Sequence, residues 1–146
     1  MPSESAVMAP RNTKQTGDET EAQIIAALIE HGYSVSIPFG DNDRYDLVVD
    51  TEHGLRRVQC KTGWIEDEVV RFKTASKTTV DGTVALTDYD GDIDAFAVRC
   101  KDTDELYWVP LEAAGRKNTY LRLTEPEIDH PNVKRAERYR FERRLP

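Results

Sequence analysis

Apolar residues in GDETEAQIIAALIEHGY recur at Ile24, Ile25, Leu28 and Ile29, the spacing of one helical face, with acids ahead and Gly32 behind as a stop. The pattern predicts a helix over roughly residues 18–31. Beyond it the period shortens to two. SVSIPF alternates as a strand and stops at Pro38, and GDNDR is rich in turn formers. YDLVVD and LRRVQCKT are β-rich runs on either side of TEHG, whose glycine suits a hairpin turn, and VVRFKTAS continues the sheet. IDAFAVRC and ELYWVP are further strands separated by the polar turn KDTD. LEAAG after Pro110 is one helical turn, and TYLRL is a last strand. KTTVDGTVALTDYDGD has no clean period and is expected as an irregular crossover. Residues 1–16 are polar and proline-punctuated, so they are expected as a disordered arm, with 17–146 as a single domain closed by a basic stretch. The expected class is α/β, a mixed central β-sheet flanked by helices.

Composition narrows this picture. At 146 residues a compact fold buries roughly 68–70% of the surface its unfolded chain exposes, enough for a real core. The 38% apolar content, arranged in patterned runs, argues against global disorder despite 32% charged residues. The longest apolar run, Ile24 to Ile29, is far short of the roughly 18 residues of a membrane span. The N-terminus lacks the apolar core of about 7–15 residues of a secretory signal, so a cytoplasmic location is expected. Cys60 and Cys100 have no paired Cys or His nearby and are read as reduced, buried small hydrophobes. His31, His53 and His130 fall at a helix end, a turn and a Pro-flanked loop, which suits solvated side chains.

A net charge of -7 argues against a nucleic-acid partner until its distribution is considered. Acids are spread along the chain, whereas VKRAERYRFERRL concentrates Lys134, Arg135, Arg138, Arg140, Arg143 and Arg144. An acidic surface with Arg in excess of Lys would also suit a high-salt cytoplasm.

The candidate chemistry lies in RYDLVVDTEHGLRRVQCKT, residues 44–62. On a strand, residues two apart share a face, so Gln59 and Lys61 point one way and Val58 and Cys60 the other. A hairpin across TEHG brings Asp46 beside Gln59 and Lys61. Hydrolysis of a phosphodiester needs a cation on the non-bridging oxygen, a positioned nucleophile and stabilisation of the leaving alkoxide. Magnesium takes oxygen ligands and keeps several waters, so one or two carboxylates with a backbone carbonyl and substrate phosphate suffice. Asp46 fits the ligand role.

With Asp46 followed by a hairpin and the triplet Gln59-Cys60-Lys61, the chain resembles the PD-(D/E)XK nuclease superfamily. GDETEA before the helix, GDNDRYDLVVD, RVQCKTG, DAFAVRC and LYWVP extend the resemblance over roughly residues 15–142. They are similar to a small endonuclease branch that includes intron-encoded homing endonucleases and, more distantly, archaeal Holliday junction resolvases. The resemblance implies a restriction-endonuclease-like fold and magnesium-dependent cleavage of DNA, with Mn2+ as an alternative cation. It implies metal binding by Asp46, by the helix glutamate at Glu21, by Gln59 and by the Cys60 backbone carbonyl, with Lys61 as the catalytic lysine. Two departures stand out: Tyr45 replaces the proline before the acid, and Gln59 replaces the usual second acid. A neutral amide oxygen should hold cations less tightly than a carboxylate, which bears on any second metal.

Competing readings attach to several residues. Glu21 also suits a first-turn acid stabilised by the helix dipole. Asp94, Arg99, Cys100 and Lys101 repeat the rhythm of the site without a ligand-bearing hairpin partner, and are expected as solvated edge residues. Asp41 and Asp43 suit a turn. Arg44, Arg56, Arg57, Arg71, Lys73 and Lys77 are candidates for DNA phosphate contact beside the site, and Lys134, Arg135 and Arg138 in the basic stretch. Trp64 and Trp108 are expected as core or interface anchors. A single site per chain cuts one strand, so a homodimer or higher homo-oligomer is expected for double-strand cleavage. A junction resolvase and a DNA-binding module without turnover are the alternatives.

Overall fold

Asn12 starts the first helix, α1 (Thr13–Glu30): its side-chain oxygen accepts from Gln15 N at 2.8 Å, and Gln15 Oε1 accepts from Asn12 N at 3.2 Å. This reciprocal cap satisfies two of the orphan donors of the first turn. Periodicity alone put the start near residue 18, because Gly17-Asp18 looks like a cap while the real signal, Asn-x-x-Gln, precedes any apolar residue of the buried face. Residues 13–16 of the expected arm are therefore helical. The helix ends as expected at Gly32, whose φ of 91° lets Gly32 N reach Ile29 O and Tyr33 N reach Leu28 O. A computed structural model of the chain describes residues 12–125 and 130–146, with the side chains of 77–80 and 86 left out, so the arm proper, residues 1–11, lies outside the described residues.

The strands are β1 (Ser34–Ser36), β2 (Leu47–Thr51), β3 (Gly54–Glu66), β4 (Val69–Lys73), β5 (Ser76–Val80), β6 (Thr83–Thr87), β7 (Ala95–Cys100), β8 (Leu106–Pro110) and β9 (Asn118–Arg122). Among the described residues they form a 7-stranded sheet and a separate β5–β6 hairpin. The long strand β3 is the spine. Its first part pairs antiparallel with β2, Val58 to Gly63 pairs parallel with β7, and Trp64 to Glu66 pairs antiparallel with β4. β8 extends the sheet beyond β7, and β9 beyond β4. Gly63 is required at the junction: a Cβ there would meet Arg71 O at 3.0 Å and the Val70 and Val98 side chains at 3.1 and 3.2 Å. The architecture is the expected α/β mixed sheet.

Both faces of the sheet are covered. On one, Ile24 and Leu28 of α1 pack on Leu47, Val49, Val58, Ala95, Ala97 and Trp108. On the other, Val70, Phe72 and Leu121 pack with Phe96, Val98 and Val109. Every residue of β7 is buried, as befits a central strand in parallel pairing. The basic C-terminal stretch forms two short helices, α2 (Ala136–Tyr139) and α3 (Phe141–Arg144), and Phe141 inserts into the α1-side core. Among the described residues no helix is long and apolar enough to cross a membrane.

Two further expectations are overturned. KTTVDGTVALT is a hairpin, not a crossover: Asp81 (φ 51°) and Gly82 (φ 76°) make the left-handed two-residue turn for which Asp-Gly is a strong signal. Arg99, expected at a solvated edge, is 4% exposed on β7. Its Nε donates to Thr20 Oγ1 at 3.1 Å, and its guanidinium pairs with Asp104 at 3.3 Å and Glu19 at 3.6 Å. Thr20 also bonds Thr62 Oγ1 on β3 at 2.6 Å, so α1 is fixed to the sheet one residue before Glu21.

The cap at Asn12 has a measurable consequence. Asn12→Ala should lower unfolding stability by about 1 kcal/mol in urea titrations. No change would place the helix start at Gly17, as periodicity alone suggests.

Candidate active site

Register builds the site. The β2–β3 hairpin pairs Leu47 with Val58, and Asp46, at the bend just ahead of β2, donates from its N to the same Val58 O at 2.8 Å, which holds Asp46 against β3. The Asp46 side chain turns back onto β3, where Oδ2 accepts from Cys60 N at 2.8 Å. Lys61, on the same face of β3 as Gln59, donates from Nζ to the Tyr89 hydroxyl at 3.1 Å. Its charge is close enough to Asp46 to draw that carboxyl's pKa down.

Glu21 approaches from α1. Burial pushes its pKa up, and the charges of Asp46 and Asp18 push it further. Burial also raises Asp46, against the opposing pull of the Cys60 N–H and Lys61. The Cys60 thiol, facing the α1-side core, is pushed well up by burial and then by Asp46 and Glu21. Two desolvated like charges at one hairpin mouth are unfavourable by themselves and are relieved by a cation. Because α1 starts at Thr13, Glu21 lies beyond the first turn, where the helix dipole no longer accounts for it.

Glu21 and Asp46 share a cleft of about 220 Å³ with Asp41, Asp43, Ile37 and Pro38. Asp41 and Asp43 thus sit at the mouth of the site, a placement their turn-forming sequence did not reveal. An acid-lined cleft repels phosphate unless a cation intervenes. Among the described residues neither the Glu21 carboxylate nor the Gln59 amide has a hydrogen-bond partner, so their oxygens remain available to a ligand. No three His, Cys, Asp or Glu side chains form a ready metal cage among the described residues. The residues fit a hard divalent cation held loosely by protein.

The family model for the PD-(D/E)XK endonuclease matches residues 11–142. The chain belongs to that family. Its fold is similar to that of I-Ssp6803I, a bacterial homing endonuclease, with a TM-score of 0.73 and 25% sequence identity over 90% of each chain. A search of curated proteins finds no significant match. PD-(D/E)XK nucleases generally use divalent metal ions, and the family and the structural likeness support endonuclease activity for this chain.

The other candidates in this endonuclease divide. Arg44 is engaged in the fold: it donates to Asp88 O at 2.8 Å and Ser76 Oγ at 3.3 Å, and stacks over the Tyr89 ring at 4.4 Å. Arg57 donates to Gly91 O at 3.0 Å and pairs with Asp94, which also accepts Arg57 N at 2.7 Å. Asp94 is therefore a joint between β3 and β7. Arg71 lies between Trp64 and Tyr120 and pairs with Glu66. Arg135 pairs with Glu125, and Arg140 with Glu105 at 2.9 Å. Arg56 and Lys134 are half-buried, whereas Lys73 and Arg138 are exposed. The Lys77 side chain lies outside the described residues. Trp108 is a core anchor, packed edge-on to Phe141.

The raised carboxyls fix the sign of a pH effect. A carboxyl whose folded pKa lies above its unfolded value contributes stability below the unfolded pKa of about 4.3 and loses it as pH rises through the folded value. In chelator, Glu21→Gln should therefore raise the melting temperature at neutral pH, with the gain vanishing below about pH 4. A lower melting temperature at neutral pH would show that Glu21 is stabilised where it sits.

Proposed function

We propose that this protein is a magnesium-dependent DNA endonuclease, Mn2+ being the alternative cation, that hydrolyses phosphodiester bonds at the mouth of the β2–β3 hairpin. The observation that supports this reading is the proximity of Asp46, Glu21 and Lys61 at one end of that hairpin, with the two carboxyls raised by burial and Glu21 further by the charge of Asp46, and with Gln59 on the Lys61 face of β3. A bound divalent cation would supply positive charge to the scissile phosphate and to the leaving oxygen. Asp46 and Glu21 would hold it, with the Gln59 amide oxygen and the Cys60 carbonyl completing the protein's share. The Cys60 N–H holds the Asp46 carboxylate in one orientation, so the acid is preset instead of searching rotamers. Lys61 orients the attacking water and stabilises charge on the phosphoryl oxygens, as a compact ammonium can.

DNA phosphates beyond the reacting one would meet Arg56, Lys73, Lys134 and Arg138. Arg44 and Arg57 act through loop structure, where part of each guanidinium is already engaged. Each chain offers one such site, so cutting both strands calls for a second copy.

The test is magnesium-dependent nicking of plasmid, run with linear duplex and four-way junction substrates. Lys61→Ala and Asp46→Ala should each lower the rate by about 100-fold or more. Gln59→Glu should reduce the magnesium concentration needed for half-maximal rate by roughly tenfold, because ligand charge sets affinity in such sites. Wild-type protein that cuts no DNA form with either cation would be a binding module, and preference for junctions would make it a resolvase.

A further inference from the structure

Tyr89 lies outside every motif that identifies the site, in the loop between β6 and β7, yet it holds the catalytic lysine. We propose that Tyr89 is a positioning residue that fixes the Lys61 ammonium relative to Asp46, an inference that rests on reading Lys61 as the catalytic lysine.

The geometry is specific. Lys61 Nζ donates to the Tyr89 hydroxyl at 3.1 Å and lies 4.9 Å from the ring centroid, so it sits at the oxygen end of the ring and the hydroxyl restrains it. A lysine side chain otherwise has many rotamers, and an unrestrained ammonium would sample many positions. Among the described residues the Tyr89 hydroxyl has no hydrogen-bond partner besides Lys61. Packing alone would be served by phenylalanine: the ring is 5% exposed and meets Phe96 edge-on at 5.5 Å and 90°. The hydroxyl is the part that packing does not explain.

Tyr89 is in turn held from the other side of the site. The Arg44 guanidinium covers its ring at 4.4 Å, donates to Asp88 O at 2.8 Å and pairs with Asp92 at 3.6 Å. Arg44 precedes Asp46 by two residues, so the segment that delivers the carboxylate also clamps the loop that delivers the tyrosine. Carboxylate and ammonium are thereby fixed to each other through Arg44 and Tyr89 as well as through β3.

Tyr89→Phe keeps the ring and removes the tether. In magnesium-dependent plasmid nicking, kcat should fall roughly 10-fold to 100-fold, the scale of a small misplacement of a reacting group. KM for DNA, the magnesium requirement and the melting temperature should remain those of the wild type. In single-turnover assays with excess enzyme, adding Tyr89→Phe to Lys61→Ala should cause no further loss. A normal kcat for Tyr89→Phe alongside an impaired Lys61→Ala would overturn the proposal alone. A raised KM, a lowered melting temperature or a multiplicative loss in the Lys61→Ala background would make Tyr89 a merely structural residue and also overturn it. Wild-type cleavage by Lys61→Ala would remove both the catalytic role of the lysine and the inference built on it.

Discussion

The pairing of Leu47 with Val58 is the constraint on which the site depends. That register puts Leu47, Val49 and Val58 on the α1-side core, and in the same step brings Asp46 within reach of Cys60 N. A slip of one residue would turn the apolar set to the wrong face and break the Asp46 contacts together. The core therefore enforces the active site: burial of aliphatic side chains, at roughly 25 cal/mol per Å² of apolar surface, selects a register whose by-product is a placed carboxylate.

Against that gain stands an electrostatic cost. Glu21 and Asp46 are brought together partly desolvated, with Asp41 and Asp43 in the same cleft. Helix α1 would relax away if only its apolar face held it near Glu21. Instead Thr20, the neighbour of Glu21, bonds both Thr62 and the buried Arg99, and Arg99 pairs with Glu19 on the same turn. A buried arginine whose nitrogens meet a hydroxyl and two carboxylates is satisfied where it lies, and removal of any partner would leave part of its charge unpaired. The polar network beside the site resists the repulsion within it.

Much of this was legible from residue patterns, and the gaps have physical causes. The period of two identified the hairpin, and the alternation of Val58, Gln59, Cys60 and Lys61 separated the two residues that meet the α1-side core, Val58 and Cys60, from the other two. Glu21 could be placed by resemblance, because a helix residue reaching a sheet end is a tertiary fact without local signature. The early start of α1 was hidden because capping chemistry at Asn12 and Gln15 is polar and aperiodic. The β5–β6 hairpin was missed although Asp81-Gly82 marked its turn, since the surrounding strands lack a continuous apolar face. Arg99 read as solvent-facing because an isolated charge gives no hint that Thr20, Glu19 and Asp104 will gather around it. Tyr89 had no signal at all: YDGD has the composition of a loop, and the partners that give its hydroxyl a role come from residues 44 and 61.

The glutamine at position 59 is best understood through the same electrostatics. If Gln59 faces the cation as proposed, a carboxylate in its place would add like charge to a pair already raised by burial and, for Glu21, by its neighbour, and in the absence of a cation would act against the fold. A neutral amide keeps an oxygen donor at that position without the added repulsion. The corresponding loss is in cation affinity, because hard divalent ions are held chiefly by ligand charge. Lys61 sharpens the balance: its ammonium, held at Tyr89, already supplies positive charge near Asp46, and with only two acids in the donor set that charge offsets a larger share of the local negative field. On the proposed reading the glutamine would move the site toward metal-free stability and weaker cation binding, leaving the Asp46 and Lys61 geometry to the hairpin and to Tyr89.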